Sequence, residues 1–440
     1  MIAVLTPEEV RAVDAAASES MDVLIGRAGA AVATEALDLL GGAYGRRVVV
    51  VVGKGNNGAD GRAAARLLRR RGVRVEVIDA ADAPEVLPPS DLVIDAAYGI
   101  GFRGTWDAPS PAGAPVLAVD IPSGVDALTG AAGDATLAAV RTVTFAAVKP
   151  GHLFGRGAEL AGEVVVADIG LDVSGATAWL LEDGDVRVPD RQRETHKWKA
   201  AVWVVAGSPG MAGAAALVTR GAQRAGAGYV RLSVPGGNAD EATPTEVVGV
   251  GLPASGWAGQ VLDGLGRFGA VVVGPGLGRG SDDDVQALVT AATVAVVVDG
   301  DGLTALGPSP AAPGAVLTPH DGEYERLAGH PPGADRIAAT RELAATTGAT
   351  VLLKGPTTVV ADPEGRVLLA ATGGPRLATA GTGDVLAGII GALLAAGMPV
   401  LHAAACGAHL HGLAAEAGPP HGLIASDLPD LLPGVLAAIG

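Results

Sequence analysis

A loop rich in glycine and amides follows the first long apolar run of the chain. It reads GKGNNGADG over residues 53–61, and its glycines have the G-x-G-x-x-G spacing of a loop that binds a pyrophosphate at a helix N-terminus. Backbone amides alone are sufficient to bind a phosphate group. The additional side chains of Asn56, Asn57 and Asp60 therefore indicate a further ligand, either a cation or a substrate hydroxyl.

Two more polar loops, DAAYGIGFRG at 95–104 and DIPSG at 120–124, follow later apolar runs. Asn57, Asp95 and Ser123 then lie on three loops of one predicted rim, and hard oxygen ligands from several loops suit an alkali or alkaline-earth ion. Each of the three is equally consistent with a helix cap or a turn residue. Their joint placement favours the ion site.

The most specific segment of the second half is TAGTGD at 379–384. Residues 381–383 are predicted to open a helix, so that their amides and the helix dipole form an anion hole. Asp384 stands beside it, where a carboxylate can accept a proton from a hydroxyl, and the combination is typical of phosphoryl transfer. The alternative is that Asp384 only complements the dipole of its own helix.

These loops must be positioned by β-branched runs that alternate with alanine-rich helical stretches, a pattern that predicts an α/β fold with parallel sheets. In such folds, ligand sites lie at the carboxyl ends of the strands. The predicted strands are 48–52, 73–78, 92–94, 116–119, 142–146 and 164–167 in the first half, and 202–205, 230–234, 271–273, 294–298, 316–317 and 351–353 in the second. A hairpin around 362–365 and three helices are predicted to follow.

A chain of 440 residues suits two domains, and the charged, apolar-poor segment 182–194 has the composition of a linker. We expect domains at 1–185 and 195–440. The formal charge of −16 disfavours nucleic acid and anionic membranes as partners. The single cysteine and a charged N-terminal segment predict a cytoplasmic protein. The uncharged stretch 385–415 is interrupted by Gly397 and Pro399, which predicts two buried helices rather than a membrane span.

The chain resembles the bifunctional NAD(P)H-hydrate repair enzymes, in which an epimerase domain is joined to an ADP-dependent dehydratase domain. The resemblance extends nearly from end to end. It implies a Rossmann-like three-layer sandwich followed by a ribokinase-like α/β domain. The motifs that carry it are GKGNNGADG, DAAYGIGFRG, DIPSG and KPG in the first half, and HKWK, GSPGMAGAA, GPGLG, TPHDGE, KGPTT and TAGTGDVLAGII in the second.

The resemblance also implies the site residues. Asp120 and Asp384 are expected to be catalytic, and potassium is expected at Asn57, Asp95 and Ser123. The hydrate site of the first domain would be lined by Asn56, Asn57, Gly58, Ala59, Asp60, Gly99, Ile100, Gly101, Phe102, Arg103, Gly104, Thr105 and Asp120. In the second domain Ala214, Gly276, His320 and Asp384 would contact the hydrate, and Lys354, Gly355, Pro356, Thr357, Thr358 and Gly383 would bind ADP, with magnesium on its phosphates.

The implied function is repair of hydrated NADH and NADPH. The R and S hydrates would be epimerised, and the S hydrate dehydrated with ADP to NAD(P)H, AMP and phosphate. The alternative is a ribokinase-like small-molecule kinase fused to a non-catalytic dinucleotide-binding domain. We also expect a homo-oligomer. Three positions depart from the family pattern: Ala59, Trp198 and Gly374.

Overall fold

A computed structural model describes residues 1–104, 106–189, 192–237 and 243–439. The chain divides into two compact units, a first unit of Ile2–Thr177 and a second unit of Ala178–Gly440 together with Met1. The strand Ala178–Leu180, which the predicted bounds assign to the first domain, pairs within the sheet of the second unit.

The first unit is a parallel sheet with helices, as the alternating pattern predicts. Its strands are β1 (Ile2–Ala3), β2 (Arg47–Val52), β3 (Arg74–Asp79), β4 (Leu92–Ala96), β5 (Val116–Val119), β6 (Arg141–Phe145) and β7 (Glu163–Ala167). Its helices are α1 (Pro7–Ala16), α2 (Met21–Leu40), α3 (Asn56–Arg70) and α4 (Gly155–Leu160). Strands β2 to β7 form the sheet in the order β3-β2-β4-β5-β6-β7, with every neighbouring pair parallel.

Strand β2 shows why the apolar runs are continuous rather than alternating. Val48, Val50 and Val52 pack on one face with residues of α2 and α3, whereas Val49 and Val51 pack into a separate cluster on the other face. A strand buried on both faces has no position left for a polar side chain before its end. The predicted Rossmann-like three-layer fold is confirmed, and between Val48 and Val52 strand β2 contains no polar residue.

The strand order also locates a ligand site. The chain passes from β2 to β3 on one side of β2, and then returns to β4 on the other side. At such a reversal the loops that leave the two inner strands diverge, and a crevice opens between them at the carboxyl end of the sheet. Asn57, at the start of α3, and Asp95, at the end of β4, lie on the two connections that leave these inner strands.

The second unit contains a larger sheet. Its strands are β8 (Ala178–Leu180), β9 (Ala201–Val205), β10 (Tyr229–Ser233), β11 (Val248–Gly249), β12 (Ala270–Val273), β13 (Ala295–Val298), β14 (Val316–Leu317), β15 (Thr350–Leu353), β16 (Thr358–Ala361) and β17 (Val367–Ala370). The run β11-β10-β9-β12-β13-β14-β15 is parallel, and β16 and β17 extend it as the predicted antiparallel hairpin. The helices are α5 (Ala212–Arg224), α6 (Ala258–Gly264), α7 (Asp282–Ala291), α8 (Asp301–Leu306), α9 (Asp321–Ala328), α10 (Arg336–Thr347), α11 (Thr382–Ala395), α12 (Val400–Ala417) and α13 (Leu428–Ile439).

The uncharged stretch near the C-terminus forms the two buried helices that its sequence predicts. Most residues of α11 and α12 are buried, and they pack into one core with strands of the large sheet. Among the residues that the structure describes, no helix combines the length and the hydropathy that crossing a bilayer requires. The fold of this unit is the predicted ribokinase-like α/β arrangement.

Candidate functional sites

A cavity of about 1070 Å³ opens at the carboxyl end of the first sheet. Of the predicted hydrate-site residues, it brings together Asn56, Asn57, Asp60, Gly99, Ile100, Gly101, Phe102, Arg103 and Asp120. Gly58, Ala59 and Gly104 do not line it. Gly58 serves the turn instead, because a Cβ at this position would collide with the carbonyl oxygen of Gly53. Thr105 lies outside the described residues.

Asp120 lies at the carboxyl end of β5 with a positive φ of 66°. The ammonium of Lys149, whose side chain is only 1% exposed, donates to Asp120 Oδ1 at 2.6 Å and to the Thr144 hydroxyl at 2.7 Å. Burial alone would raise the pKa of the Asp120 carboxyl. The Lys149 ammonium outweighs burial and lowers that pKa, so Asp120 is ionised at neutral pH.

His152 contacts the backbone of Asp120, the residue with the positive φ. The amide of Lys149 donates to His152 Nδ1 at 3.1 Å, which leaves the proton on Nε2, and Nε2 lies 2.8 Å from the carbonyl oxygen of Asp120. Burial, reinforced by the nearby Lys149 charge, lowers the pKa of His152 to about 4. The imidazole is therefore neutral, and its single N–H orients the residue that carries the carboxylate.

Asp60 lies in the second turn of α3, and its carboxyl group is protonated at neutral pH, unlike that of Asp120. Its side chain is buried, and burial together with the negative charges of Asp120 and Asp14 raises its pKa to about 8. At pH 7 the carboxyl group of Asp60 is therefore protonated, whereas that of Asp120 in the same cavity is ionised. Such a separation of pKa values is how enzymes obtain an acid and a base from two carboxylic acids.

The predicted ion ligands are linked in part. Ser123 donates its amide and its hydroxyl to the two oxygens of Asp95, at 2.9 and 2.6 Å, and the amide of Tyr98 donates to the Ser123 hydroxyl at 2.8 Å. These bonds join the loops after β4 and β5. Among the described residues, neither Oδ1 nor Nδ2 of Asn57 has a hydrogen-bond partner, and both atoms are buried. An unpartnered buried amide beside a carboxylate-bearing loop fits a bound cation, because potassium takes oxygen ligands.

In the second unit, four loops meet around the ammonium of Lys354. Lys354 Nζ lies 2.5 Å from Asp299 Oδ1 and 3.9 Å from Glu323 Oε2, and the Thr318 hydroxyl donates to the same oxygen of Asp299 at 2.7 Å. Burial alone would lower the pKa of Lys354, but the two carboxylates outweigh it and raise that pKa. A Cβ on Gly383 would lie 3.3 Å from Lys354 Nζ, so the ammonium stands at the N-terminus of α11.

Asp384 lies on the first turn of α11, which begins after Gly381 in the left-handed conformation, with φ of 92°. Burial, followed by the negative charge of Asp299, raises the pKa of Asp384 to about 7, although Lys354 opposes the shift. A carboxylate at the positive end of a helix normally has a lowered pKa. The pKa of Asp384 is raised instead, so this carboxyl group changes its protonation state near physiological pH.

Contacts between loops place several of the remaining predicted residues. A Cβ on Gly276 would lie 2.9 Å from Cβ of Ala214, so these two residues are neighbours. His320 caps α9 through Nδ1, and its amide donates at 2.8 Å to Glu323, which approaches Lys354. Arg336 donates at 2.7 Å to the carbonyl of Lys354 and thereby fixes the start of the loop 354–358.

Sequence reasoning missed several residues that complete both sites. Glu323 belongs to the TPHDGE segment and Asp299 follows the predicted strand 294–298, but their approach to Lys354 requires three loops to meet. His152 follows the KPG segment directly, yet an isolated histidine in a loop carried no signal for a bond to Asp120. In each case the motif was recognised and the partner was not.

The departures from the family pattern have local explanations. Gly374 has φ of 118°, a conformation that residues with a Cβ rarely adopt. Trp198 stacks on Tyr229 with ring centroids 4.3 Å apart and lies under the Arg267 guanidinium. Its turn precedes β9, whereas the loops of the Lys354 centre follow their strands, so Trp198 belongs to the opposite edge of the parallel sheet.

Family models match both units. A model described as NAD(P)H-hydrate dehydratase matches residues 202–433, and a model described as YjeF-related protein N-terminus matches residues 21–86 and 78–151. The two matches cover the loops of the Lys354 centre and most of the loops that line the cavity of the first unit.

Individual relatives cover most of the chain. A bifunctional NAD(P)H-hydrate repair enzyme of Mycobacterium leprae is 39% identical over 84% of this chain and 83% of its own length. The crystal structure of an ADP/ATP-dependent NAD(P)H-hydrate dehydratase from Bacillus subtilis, co-crystallised with ATP and Mg²⁺, is 32% identical and covers 59% of this chain and 98% of its own, with a TM-score of 0.52. A ribokinase-like superfamily protein from Enterococcus faecalis shares the fold, with a TM-score of 0.54, 23% identity and coverage of 60% of this chain and 97% of its own. With both family models matched and this identity sustained over most of its length, the chain belongs to the bifunctional NAD(P)H-hydrate repair enzymes.

Proposed function

We propose that the protein repairs hydrated NADH and NADPH, with epimerisation of the R and S hydrates in the first unit and ADP-dependent dehydration of the S hydrate in the second. The observation that supports this proposal is that the two motif sets fold into two separate sites, each with a carboxyl group of shifted pKa, Asp120 in the first unit and Asp384 in the second. A kinase fused to a binding module would need no such site in the first unit.

Epimerisation requires that the hydroxyl on C6 of the hydrated ring leave and return. In the proposed mechanism the protonated Asp60 donates to that hydroxyl, water departs, and the lone pair of the ring nitrogen forms an iminium. Water then adds to the other face of C6 and gives its proton to the ionised Asp120. Lys149 stabilises the negative charge of Asp120 before that transfer. Proton exchange with solvent then returns Asp60 to its protonated form and Asp120 to its ionised form.

The protonation state of Asp60 gives a pH prediction. An acid must hold its proton, so epimerisation should slow as pH rises through about 8. Between about pH 4 and pH 8, Asp60 is protonated in the folded first unit but ionised in the unfolded chain. The free energy of unfolding of this unit should therefore fall as pH rises, by up to about 1.4 kcal/mol per pH unit. Denaturant titrations between pH 5 and 8 should show a steeper fall in the wild type than in Asp60→Asn, which keeps the contributions of the other carboxyl groups with raised pKa values, Asp14 and Asp95.

A matched control for this prediction is Asp82→Asn, which removes an exposed carboxylate from the same cavity. It should leave the slope in place. Equal slopes in wild type and Asp60→Asn would mean that Asp60 is ionised in the folded protein and cannot be the acid.

Dehydration needs a better leaving group than hydroxide, and phosphorylation supplies one. In the proposed mechanism Asp384 accepts the proton of the C6 hydroxyl while the hydroxyl oxygen attacks the β-phosphorus of ADP. The bond between the β-phosphorus and the bridging oxygen breaks, and AMP is released. The amides of residues 381–383 and the Lys354 ammonium stabilise the transferring group. Phosphate then leaves C6 with the bonding electrons and accepts a proton from C5, and the resulting C5–C6 double bond restores NAD(P)H.

The residues present fit two inorganic cofactors. Asn57, Asp95 and Ser123 would hold potassium, which would orient the hydrate against Asp60 and Asp120, and the unpartnered amide of Asn57 supports this assignment. Asp299 and Glu323 would hold magnesium together with the phosphates of ADP, since Mg²⁺ takes one or two carboxylates from a protein and completes its shell with phosphates and water. Bound magnesium would neutralise phosphate charge.

The proposed function is tested with purified protein and an R-enriched mixture of hydrates. Without ADP, the protein should bring the R and S forms to a constant ratio faster than they interconvert alone. With ADP, both forms should be consumed, with one AMP and one phosphate formed for each reduced nicotinamide regenerated. A stable phosphorylated product without NAD(P)H would identify a kinase, and stoichiometric hydrate binding without epimerisation would identify a binding module. The predicted homo-oligomer can be measured on the same sample by light scattering.

A further inference from the structure

Two acidic residues of β3 have no role in the proposed chemistry. Glu76 and Asp79 follow the G-x-G-x-x-G loop by about 20 residues, the spacing at which dinucleotide-binding folds place the carboxylate that binds a ribose 2′-hydroxyl. The sequence does not choose between them. The structure does, because Asp79 lines the cavity of the first unit and Glu76 is not among the residues that line it.

Asp79 lies next to the glycine loop. In the register of the sheet it pairs with Val52, the last residue before that loop, so the carboxylate stands beside the predicted pyrophosphate site. Asp120 follows β5 on the other side, three strand spacings away in the order β3-β2-β4-β5, which amounts to about 14 Å. One cavity thus spans from Asp79 through the glycine loop to Asp120, an arrangement that suits two riboses joined by a pyrophosphate.

Arg62, on α3, ties the carboxylate to the loop. Its Nη2 lies 2.5 Å from Asp79 Oδ1, and its Nη1 donates to the carbonyl of Gly53 at 2.8 Å. Asp79 is 59% exposed, so its second oxygen remains accessible to a ligand. A ribose 2′-hydroxyl can donate to that oxygen without disturbing the ion pair, whereas a 2′-phosphate would meet the negative charge of Asp79 and would have to compete with it for Arg62.

We infer that Asp79 and Arg62 form the adenosine-ribose subsite of the first unit and that this pair favours hydrated NADH over hydrated NADPH. The inference rests on the proposed epimerase function and adds to it a discrimination at the far end of the substrate. The negative charge of Asp79 repels a 2′-phosphate. Arg62 would bind a 2′-phosphate in a variant that lacks this charge.

The test compares kcat/KM for epimerisation of hydrated NADH and hydrated NADPH by the full-length protein. In Asp79→Asn the ratio of the two values should shift toward NADPH by about tenfold, the amount expected for a hydrogen bond to a charged group. Arg62→Gln should move the ratio the other way. Glu76→Gln removes the same charge from the same strand, outside the cavity lining, and should leave the ratio unchanged.

Failure of this inference is distinct from failure of the proposed function. If wild type epimerises both hydrates and Asp79→Asn keeps the wild-type ratio, Asp79 is not the ribose ligand. If wild type epimerises neither, the proposed function fails, and equilibrium binding of NADH and NADPH to wild type and Asp79→Asn then decides the inference. Asp79 lies in the first unit, so a change in the binding ratio reports that unit, and an unchanged binding ratio overturns the subsite.

Discussion

Asp384→Asn is expected to lower ADP-dependent dehydration by about 10²–10⁴-fold, the usual contribution of a general base, and to leave epimerisation at its wild-type rate. Asparagine keeps the shape of the side chain and its place on the first turn of α11, but it cannot accept the proton of the C6 hydroxyl. The measurement is AMP release together with the absorbance of reduced nicotinamide, with the R-to-S conversion followed in the same samples.

The pH dependence provides a second measure of the same residue. A base must be ionised, and the pKa of Asp384 is about 7, so the dehydration rate of wild type should rise with pH through that value. The dependence should disappear from whatever activity Asp384→Asn retains. A wild-type rate that is flat between pH 6 and 8 would mean that proton transfer to Asp384 does not limit the reaction.

A matched control separates this role from the simpler one of complementing a helix dipole. Asp282 is exposed on the first turn of α7, where it serves its helix alone. Asp282→Asn should lower the free energy of unfolding by about 0.3–1 kcal/mol without affecting dehydration. Asp384→Asn should not destabilise, because burial already disfavours the charge that it removes. Undiminished turnover in Asp384→Asn would exclude Asp384 from the chemistry and leave it with the dipole role.

How much of this could be read from the sequence depends on how local each feature is. The strands, the glycine loops and the positions of Asp120 and Asp384 follow from short segments, because the carboxyl ends of parallel strands meet at one edge of a sheet. The pairing of Asp299 with Lys354 joins residues 55 positions apart, and that of Asp120 with Lys149 joins residues 29 positions apart. No spacing rule predicts such contacts, so the pKa values that depend on them were also beyond prediction.

The segment after the first unit shows the same limit. The predicted bounds place Ala178–Leu180 in the first domain, just before the predicted linker 182–194, yet this strand pairs with β17 (Val367–Ala370), far along the sequence of the second unit. Three residues are too few to show a strand period by themselves. Their structure is determined by the partner strand, which a local composition does not reveal.

Asp120→Asn is expected to lower epimerisation by about 10²–10⁴-fold while the same preparation continues to dehydrate the S hydrate with ADP. The internal dehydration rate is the control for protein quality and for the second unit. The reason for the loss is that an amide cannot take the proton of the returning water. Chiral separation of the hydrates over time is the measurement.

Variants of the ion pair between Asp120 and Lys149 distinguish a catalytic role of Asp120 from a role in folding. Asp120→Asn leaves an ammonium that is 1% exposed without its charge partner, which should cost about 3–5 kcal/mol in the free energy of unfolding of the first unit. Replacing both residues, as Asp120→Asn with Lys149→Met, removes the buried charge and should restore much of that stability but none of the epimerisation. If the double variant regained turnover along with stability, Asp120 would be a folding determinant, and the proton acceptor would have to be sought among the other carboxylates of the cavity, Asp14 and Asp60 first.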